Sequence, residues 1–356
     1  MPEIPVQHLC SFTQQLATLV SAGVPLLQSL DTVAKGVRYK PLQLTAFQLR
    51  QHIAQGLSLQ QGLRQAHMFD AFYCQLVAAG EMSGNLDGML RRLATHLERQ
   101  HQLRQKVKMA LVYPVSVLLI GMLVAAVILI WVVPVFQSIF ASFGAELPAA
   151  TRLVLSLSDG LLQSGPWALL LVLLAFMATR SVYHRSPAWQ LGFAVQGLKL
   201  PLTGSLIRAS NDAIWTRCMA TLLQSGVPML DALEVTAGAC PNRVYALFSL
   251  GIRHAVSQGS SLSVAMQSVH LLLPQTRQTQ SVFDALLVQM VAVGEESGSL
   301  AALLTHAADE HEQALERQID GMTQLIEPLM VVLLGGMVGG LVVALYLPVF
   351  QLGQVL

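Results

Sequence analysis

The densest run of polar side chains in this chain is HAADEHEQALERQ, which begins at His306. On a helix, His306, Asp309 and Glu310 are spaced three and four residues apart and share a face. Imidazole and carboxylate in that arrangement are suited to a divalent ion. A solvated face on a long helix is the plainer reading of the same residues, so no metal and no other cofactor is expected. His311-Glu312 continues as Gln-Ala-Leu and lacks the second histidine of a zinc-protease helix. Lys35, Lys40, Lys106, Lys108 and Lys199 all lack the glycine-rich lead and the following Ser or Thr of a phosphate loop. There is no G-x-S-x-G elbow. The cysteines Cys10, Cys74, Cys218 and Cys240 are scattered, as befits buried thiols in a reducing compartment. No catalytic residue is expected.

The other acidic residues that attract notice are Glu81 and Glu295. They sit in VAAGEMSGNL (77–86) and VAVGEESGSL (291–300), one phrase used twice at an offset of 214. The elements around them are duplicated too. FTQQLATLVSAGVPLLQSLDTV, from Phe12, matches WTRCMATLLQSGVPMLDALEVT, from Trp215, at an offset of 203. QGLSL at 55–59 matches QGSSL at 258–262 at that same offset. The larger offset sets Tyr113-Pro114 against Glu327-Pro328 and Pro134-Val135-Phe136 against Pro348-Val349-Phe350. The unit that repeats is therefore a polar domain with the membrane helix that follows it.

Each copy reads as an all-helical bundle, poor in strand-like alternation. Leu9, Phe12, Leu16, Leu19 and Val20 form a stripe that stops at Gly23, and Pro25 suits the first turn of a helix from Leu26 to about Ala34. Gly226 and Pro228 repeat that corner. Further helices are predicted over 41–55, 58–64 and 68–79, with Gly80 ending one helix and another running to about Val107. Gly80 with Gly84, and Gly294 with Gly298, permit a tight corner where Ser83 or Ser297 can cap amides. Glu81 and Glu295 are free to bond those amides or to face a partner. The duplicated phrase thus reads as a corner, not a catalytic box.

Hydrophobic residues make up 53% of the chain and charged residues only 12%, against about a quarter charged in soluble proteins. Uncharged runs at 111–133 and 328–348 are long enough to cross a bilayer, and a shorter one at 161–179 gives a third span. Residues 1–11 lack a basic start followed by an apolar core, so no signal peptide is expected there. Arg104, Lys106 and Lys108 before the first span, and Arg180, Arg185 and Lys199 after the second, put the N terminus inside. The expected order is a cytoplasmic domain (1–110), span one (111–133), a periplasmic loop (134–160), span two (161–179), a second cytoplasmic domain (180–327), span three (328–348) and a short periplasmic tail (349–356).

Residues 1–108 carry 11 basic and 6 acidic residues, whereas residues 180–327 carry 9 and 12. Arg91, Arg92, Arg99, Arg104, Lys106 and Lys108 form a basic cluster that sets topology or docks an acidic partner or lipid. Gly335 with Gly339, and Gly336 with Gly340, are overlapping pairs that let another helix approach, within the chain or from another copy. Pro114, Pro134, Pro328 and Pro348 bracket spans one and three and are expected to fix how each helix leaves its domain. The spans hold no ionisable residue, which disfavours an ion-coupled transporter. A small transporter or channel subunit is the rival reading, with only Gln163 and Ser164 as polar residues near a membrane edge.

Two helical domains, each with the SGVP corner (Ser21–Pro25 and Ser225–Pro228) and the GExSG phrase, resemble the GspF/PilC family over nearly the whole chain. The closing Tyr346-Leu347-Pro348-Val349-Phe350 matches it as well. That resemblance implies an inner-membrane platform protein of type II secretion or type IV pilus machines, without enzymatic activity. It implies a cytoplasmic hexameric ATPase, pilin-like subunits and other inner-membrane assembly proteins as partners, and a homo-oligomer, with no direct contact to nucleic acid. Many members carry a longer segment ahead of the first domain, while eleven residues precede Phe12 here.

Overall fold

The computed structural model describes residues 4–135, 187–199, 203–272 and 282–355, with single positions at 156, 160, 171, 174 and 177. The regular elements among the described residues are helices, joined by short turns. Span two and the loop before it lie outside the continuous described stretches.

Copy one opens with α1 (Val6–Ser21), which closes on Gly23 at φ +81°. Pro25 then stands just ahead of α2 (Leu26–Gly36), where its missing N–H costs nothing. After α3 (Lys40–Ala54) comes α4 (Leu59–Ala66), opened by a reciprocal capping box. There Ser58 Oγ accepts from the Gln61 amide at 3.1 Å, and Gln61 Oε1 accepts from the Ser58 amide at 3.2 Å. Asp70 caps α5 (Ala71–Ser83) by accepting from the Tyr73 amide at 2.7 Å. α6 (Leu86–Val127) follows and passes into a π-helical turn at Ile128–Val132.

α7 (Pro187–Lys199) precedes copy two, which repeats the order as α8 (Thr203–Gln224), α9 (Met229–Ala239), α10 (Arg243–Ser257), α11 (Leu262–Leu272), α12 (Ala285–Ser297) and α13 (Leu300–Val355).

The helix boundaries depart from the sequence expectation. Gly80 does not end a helix, because α5 continues through it to Ser83 and stops at Gly84, φ +68°. Nor do the domains hand over to separate membrane helices. α6 runs through Pro114 and α13 runs through Pro328 and Pro348 without a break. A proline removes one ladder hydrogen bond, and a long helix held on both sides absorbs that loss.

The chain forms two compact units. One joins Met1–Gln105 to Gln190–Gln318, so both polar copies pack together; the other joins Lys106–Trp189 to Ile319–Leu356. In the first unit, one continuous core runs from Phe12, Leu30 and Leu76 in copy one to Trp215, Phe248 and Val291 in copy two. α5 supplies the crossing point by packing on α9 and α8. Trp215 packs against Phe283 with the rings tilted and their centroids 4.8 Å apart, and it donates from its indole to Ser249 Oγ at 3.3 Å.

In the second unit, α6 and the π-helical turn that continues it meet α13 through Ala125, Leu129 and Val133 against Leu341 and Ala344. A Cβ on Gly121 would overlap the Leu334 side chain, so glycine permits this approach. A Cβ on Gly335, Gly336, Gly339 or Gly340 meets no described atom within 4 Å. The stretches Leu86–Val135 and Leu300–Ala344 are each long and apolar enough to cross a membrane. Only 6% and 11% of their most apolar windows are buried, as lipid-facing helices require and soluble core helices do not.

Copy two hides one acid in its core. Burial lifts Asp212 to about 7, and the neighbouring charge of Asp284 adds to the rise, while the Tyr245 hydroxyl, donating at 2.8 Å, and Arg208 oppose it. A folded-state pKa above the unfolded one stabilises at low pH, and that contribution is lost as pH rises through 7. Asp212→Asn keeps an oxygen to accept from Tyr245 and no longer ionises. Relative to wild type, its stability in detergent should gain ~2–3 kcal/mol on going from about pH 5 to about pH 8. A pH-independent difference in thermal unfolding would refute the burial of an ionising carboxyl here.

Candidate functional site

The duplicated phrase builds the same device twice. A helix leaves its first backbone N–H groups without partners and carries partial positive charge at that end. At α4, the Glu81 carboxylate accepts from the amides of Leu59 at 2.6 Å and Gln60 at 2.9 Å. At α11, Glu295 accepts from Leu262 at 2.5 Å and Ser263 at 2.9 Å. Each carboxylate thus grips the start of another helix with both oxygens. Together with the Ser58 box, Glu81 satisfies the first three amides of α4.

The flanking residues serve the same corner. A Cβ on Gly80 would stand 3.1 Å from Leu86 Cα and 3.0 Å from the Met89 side chain, and one on Gly294 would stand 2.9 Å from Leu300 Cα. Glycine there lets the helix after the corner fold tightly onto the helix before it. Ser83 and Ser297 donate back to the carbonyls of Ala79 and Val293, each at 2.7 Å, rather than capping amides. Gly84 and Gly298 end their helices at φ +68°, a conformation that other residues resist. Both oxygens of each repeated glutamate are engaged at a helix end, which is a structural role.

A second polar cluster joins the copies. Arg217, on α8, donates from Nε and Nη2 to the two Glu312 oxygens, both at 2.7 Å, and also pairs with Asp309. Arg99, on α6 of copy one, reaches the same carboxylates at 3.1 Å (Glu312) and 3.3 Å (Asp309). The Arg217 side chain is only 12% exposed, so its fork geometry is held in a partly dry setting. His96 sits beside this cluster with its ring 4.5 Å from Phe72. Burial and the fields of Arg217 and Arg99 push it down to about 4, which keeps it neutral between the arginines.

Asp309, one of three candidate metal ligands, is therefore engaged by two arginines, while His306 and Glu310 are exposed. Among the described residues, no group of three potential metal ligands occurs. Of the basic cluster, Arg91 donates to Ser21 Oγ at 2.7 Å, Arg92 reaches Gln224 at 3.4 Å and Arg99 joins the ion-pair network. Lys108 is exposed, and the Arg104 side chain is outside the described residues. Sequence reasoning passed over Arg217. Its signal is a lone cation in the otherwise uncharged run WTRCMATLL. All four cysteines are free and buried, and burial raises each thiol, which disfavours the nucleophilic thiolate.

A family model described as "Type II secretion system (T2SS), protein F" matches twice, at residues 12–134 and 215–348. The chain belongs to this family. The two matches coincide with the two copies, each taken together with the membrane helix that continues it. The chain is similar along its length to the type IV pilus assembly protein PilC of Pseudomonas aeruginosa, at 39% identity over 99% of this chain and 92% of that one. It is 33% identical to PilC of Thermus thermophilus over 98% of this chain and 83% of the relative. It is also 30% identical to type II secretion system protein F of Vibrio cholerae, over 99% of this chain and 84% of the relative. As a protein F family member, the chain is a membrane assembly component of such machines and not an enzyme.

Proposed function

We propose that this protein F family member is the inner-membrane platform on which pilin-like subunits are assembled, driven by a cytoplasmic hexameric ATPase. The observation that carries the reading is full-length similarity to pilus assembly and secretion proteins that extends over both copies and both long apolar helices. The relatives named for pilus assembly, at 39% and 33% identity, stand nearer than the secretion relative at 30%, which supports a pilus. In this reading the chain spans the membrane three times, the N terminus is cytoplasmic and both copies face the ATPase. Other inner-membrane assembly proteins complete the set.

The geometry suits a part that transmits load. Two bundles share one core, and each corner is locked by a carboxylate on a helix end. A push on one copy then reaches the other through packed side chains and the Arg217 network. The repeated corners, including Gly23, Pro25, Gly226 and Pro228, are assigned to this stiffness. The open glycine face at Gly335–Gly340 is assigned to close packing with another membrane helix.

A detergent pull-down of the tagged full-length chain, with mass spectrometry of its companions, tests the reading. Recovery of a hexameric-type ATPase and pilin-like subunits, with no ATP hydrolysis by the chain alone, is the expected result. Recovery of neither from a membrane extract in which the ATPase remains assembled would argue for the channel or transporter class instead.

A further inference from the structure

The contact between the two copies is one-sided. α5 of copy one packs on α9 and α8 of copy two, and the α5 residues Phe72 and Leu76 are 3% and 0% exposed. The repeat supplies both halves of that contact a second time. At the offset of 214, Phe72 and Ala79 correspond to Leu286 and Val293 on α12, with the partly buried Met290 between them in place of Leu76. Leu286 is 58% exposed and Val293 is 51% exposed. Spaced at i, i+4 and i+7, the three form an apolar ridge on one helix face.

The receiving half is duplicated as well. Cys218, 1% exposed on α8, corresponds at the offset of 203 to Gln15 on α1, which is exposed. Ala239, at the end of α9, corresponds to Gly36 on α2. Around those counterparts lies an open cavity of about 410 Å³, lined by His8, Ser11, Gln15, Gly36, Val37 and Arg38 among others. Copy two presents a ridge without a groove, and copy one presents a groove without a ridge.

We propose that α12 of one chain docks on the α1–α2 groove of a second chain, repeating between chains the contact that α5 makes within one. Charge favours this pairing over like with like, because copy one carries 11 basic and 6 acidic residues and the copy-two region 9 and 12. The acidic N-cap Asp284 begins the ridge, and Arg38 stands in the groove. The groove is more polar than the α8–α9 surface it mirrors, which suits an association that forms and dissolves rather than a permanent one. Such a joint is heterologous, so it closes into a ring or extends as a row, and it is not an isologous dimer. The inference depends on the duplicated fold and not on the platform reading, so failure of either leaves the other standing.

The test uses full-length chains in detergent or nanodiscs. One preparation carries Gln15→Cys and another Gln289→Cys, both at exposed positions, and a short bismaleimide joins them. Mixed preparations should yield roughly tenfold more linked dimer than either variant alone, and Leu286→Glu with Val293→Glu should remove that excess. Those glutamates lie on exposed positions, so an unchanged unfolding temperature checks that the fold is kept. Equal linking in the mixed and unmixed samples would overturn the proposal. So would oligomers that survive both glutamates.

Discussion

Replacing Glu81 or Glu295 by alanine is expected to cost about 2–3 kcal/mol of stability per site, a large share of what holds a small helical domain together. Each carboxylate makes two charge-assisted bonds to the amides of a helix N-terminus, at distances between 2.5 and 2.9 Å. Bonds to an ionised partner are worth more than neutral ones, and the favourable end of the helix dipole adds to them. Water can reach a half-buried site and recover part of the loss, which is why the figure stays below the sum of two full bonds. Glutamine keeps one accepting oxygen and loses the charge, so Glu81→Gln should fall between alanine and wild type. Thermal unfolding of the full chain in detergent measures the series. A wild-type melting temperature for Glu81→Ala, combined with loss of assembly in cells, would instead assign the carboxylate to a partner.

The second large effect is expected at Arg217. Arg217→Ala leaves Glu312 and Asp309 facing only the more exposed Arg99, and uncompensated charge in a partly dry site is costly, about 3 kcal/mol. Arg217→Lys retains charge but not the two-pronged grip on Glu312, and should recover less than half of the loss. Arg99→Ala, with both Arg99 and Asp309 at 45% exposure, should cost less than about 1 kcal/mol. Because the network joins copy one to copy two, hydrogen exchange in Arg217→Ala should rise along α5 and α9 ahead of the corners. If Arg99→Ala proved as harmful as Arg217→Ala, the buried arginine would not be the keystone of that joint.

What could be read from the sequence was what is written locally. The duplication shows at held offsets, and the SGVP corners show because a glycine and a proline punctuate an apolar stripe. The two longest uncharged runs show as well, and they fall in the long apolar stretches Leu86–Val135 and Leu300–Ala344. The partners of the repeated glutamates could not be read in this way. Glu81 bonds amides 21 and 22 residues earlier in the chain, and nothing in GEMSG says which helix end will come to it. Gly80 reads as a helix end for a related reason. A glycine inside a helix looks like a breaker on propensity alone, yet here the close approach of Leu86 and Met89 requires it. Arg217 and its acids are 92 and 95 residues apart, so only the folded chain brings them together. The reach of α6 through Pro114 was hidden too, because proline marks a break in a short helix and is tolerated in a long one.

The most direct test of the platform role is to count surface filaments on cells from which this chain has been deleted, with ATPase and pilin levels monitored in the same cells. The account predicts normal amounts of ATPase and of membrane-held pilin subunits, no filaments by electron microscopy, and recovery when the wild-type chain is restored. Filaments of normal number and length in the deleted strain would contradict it.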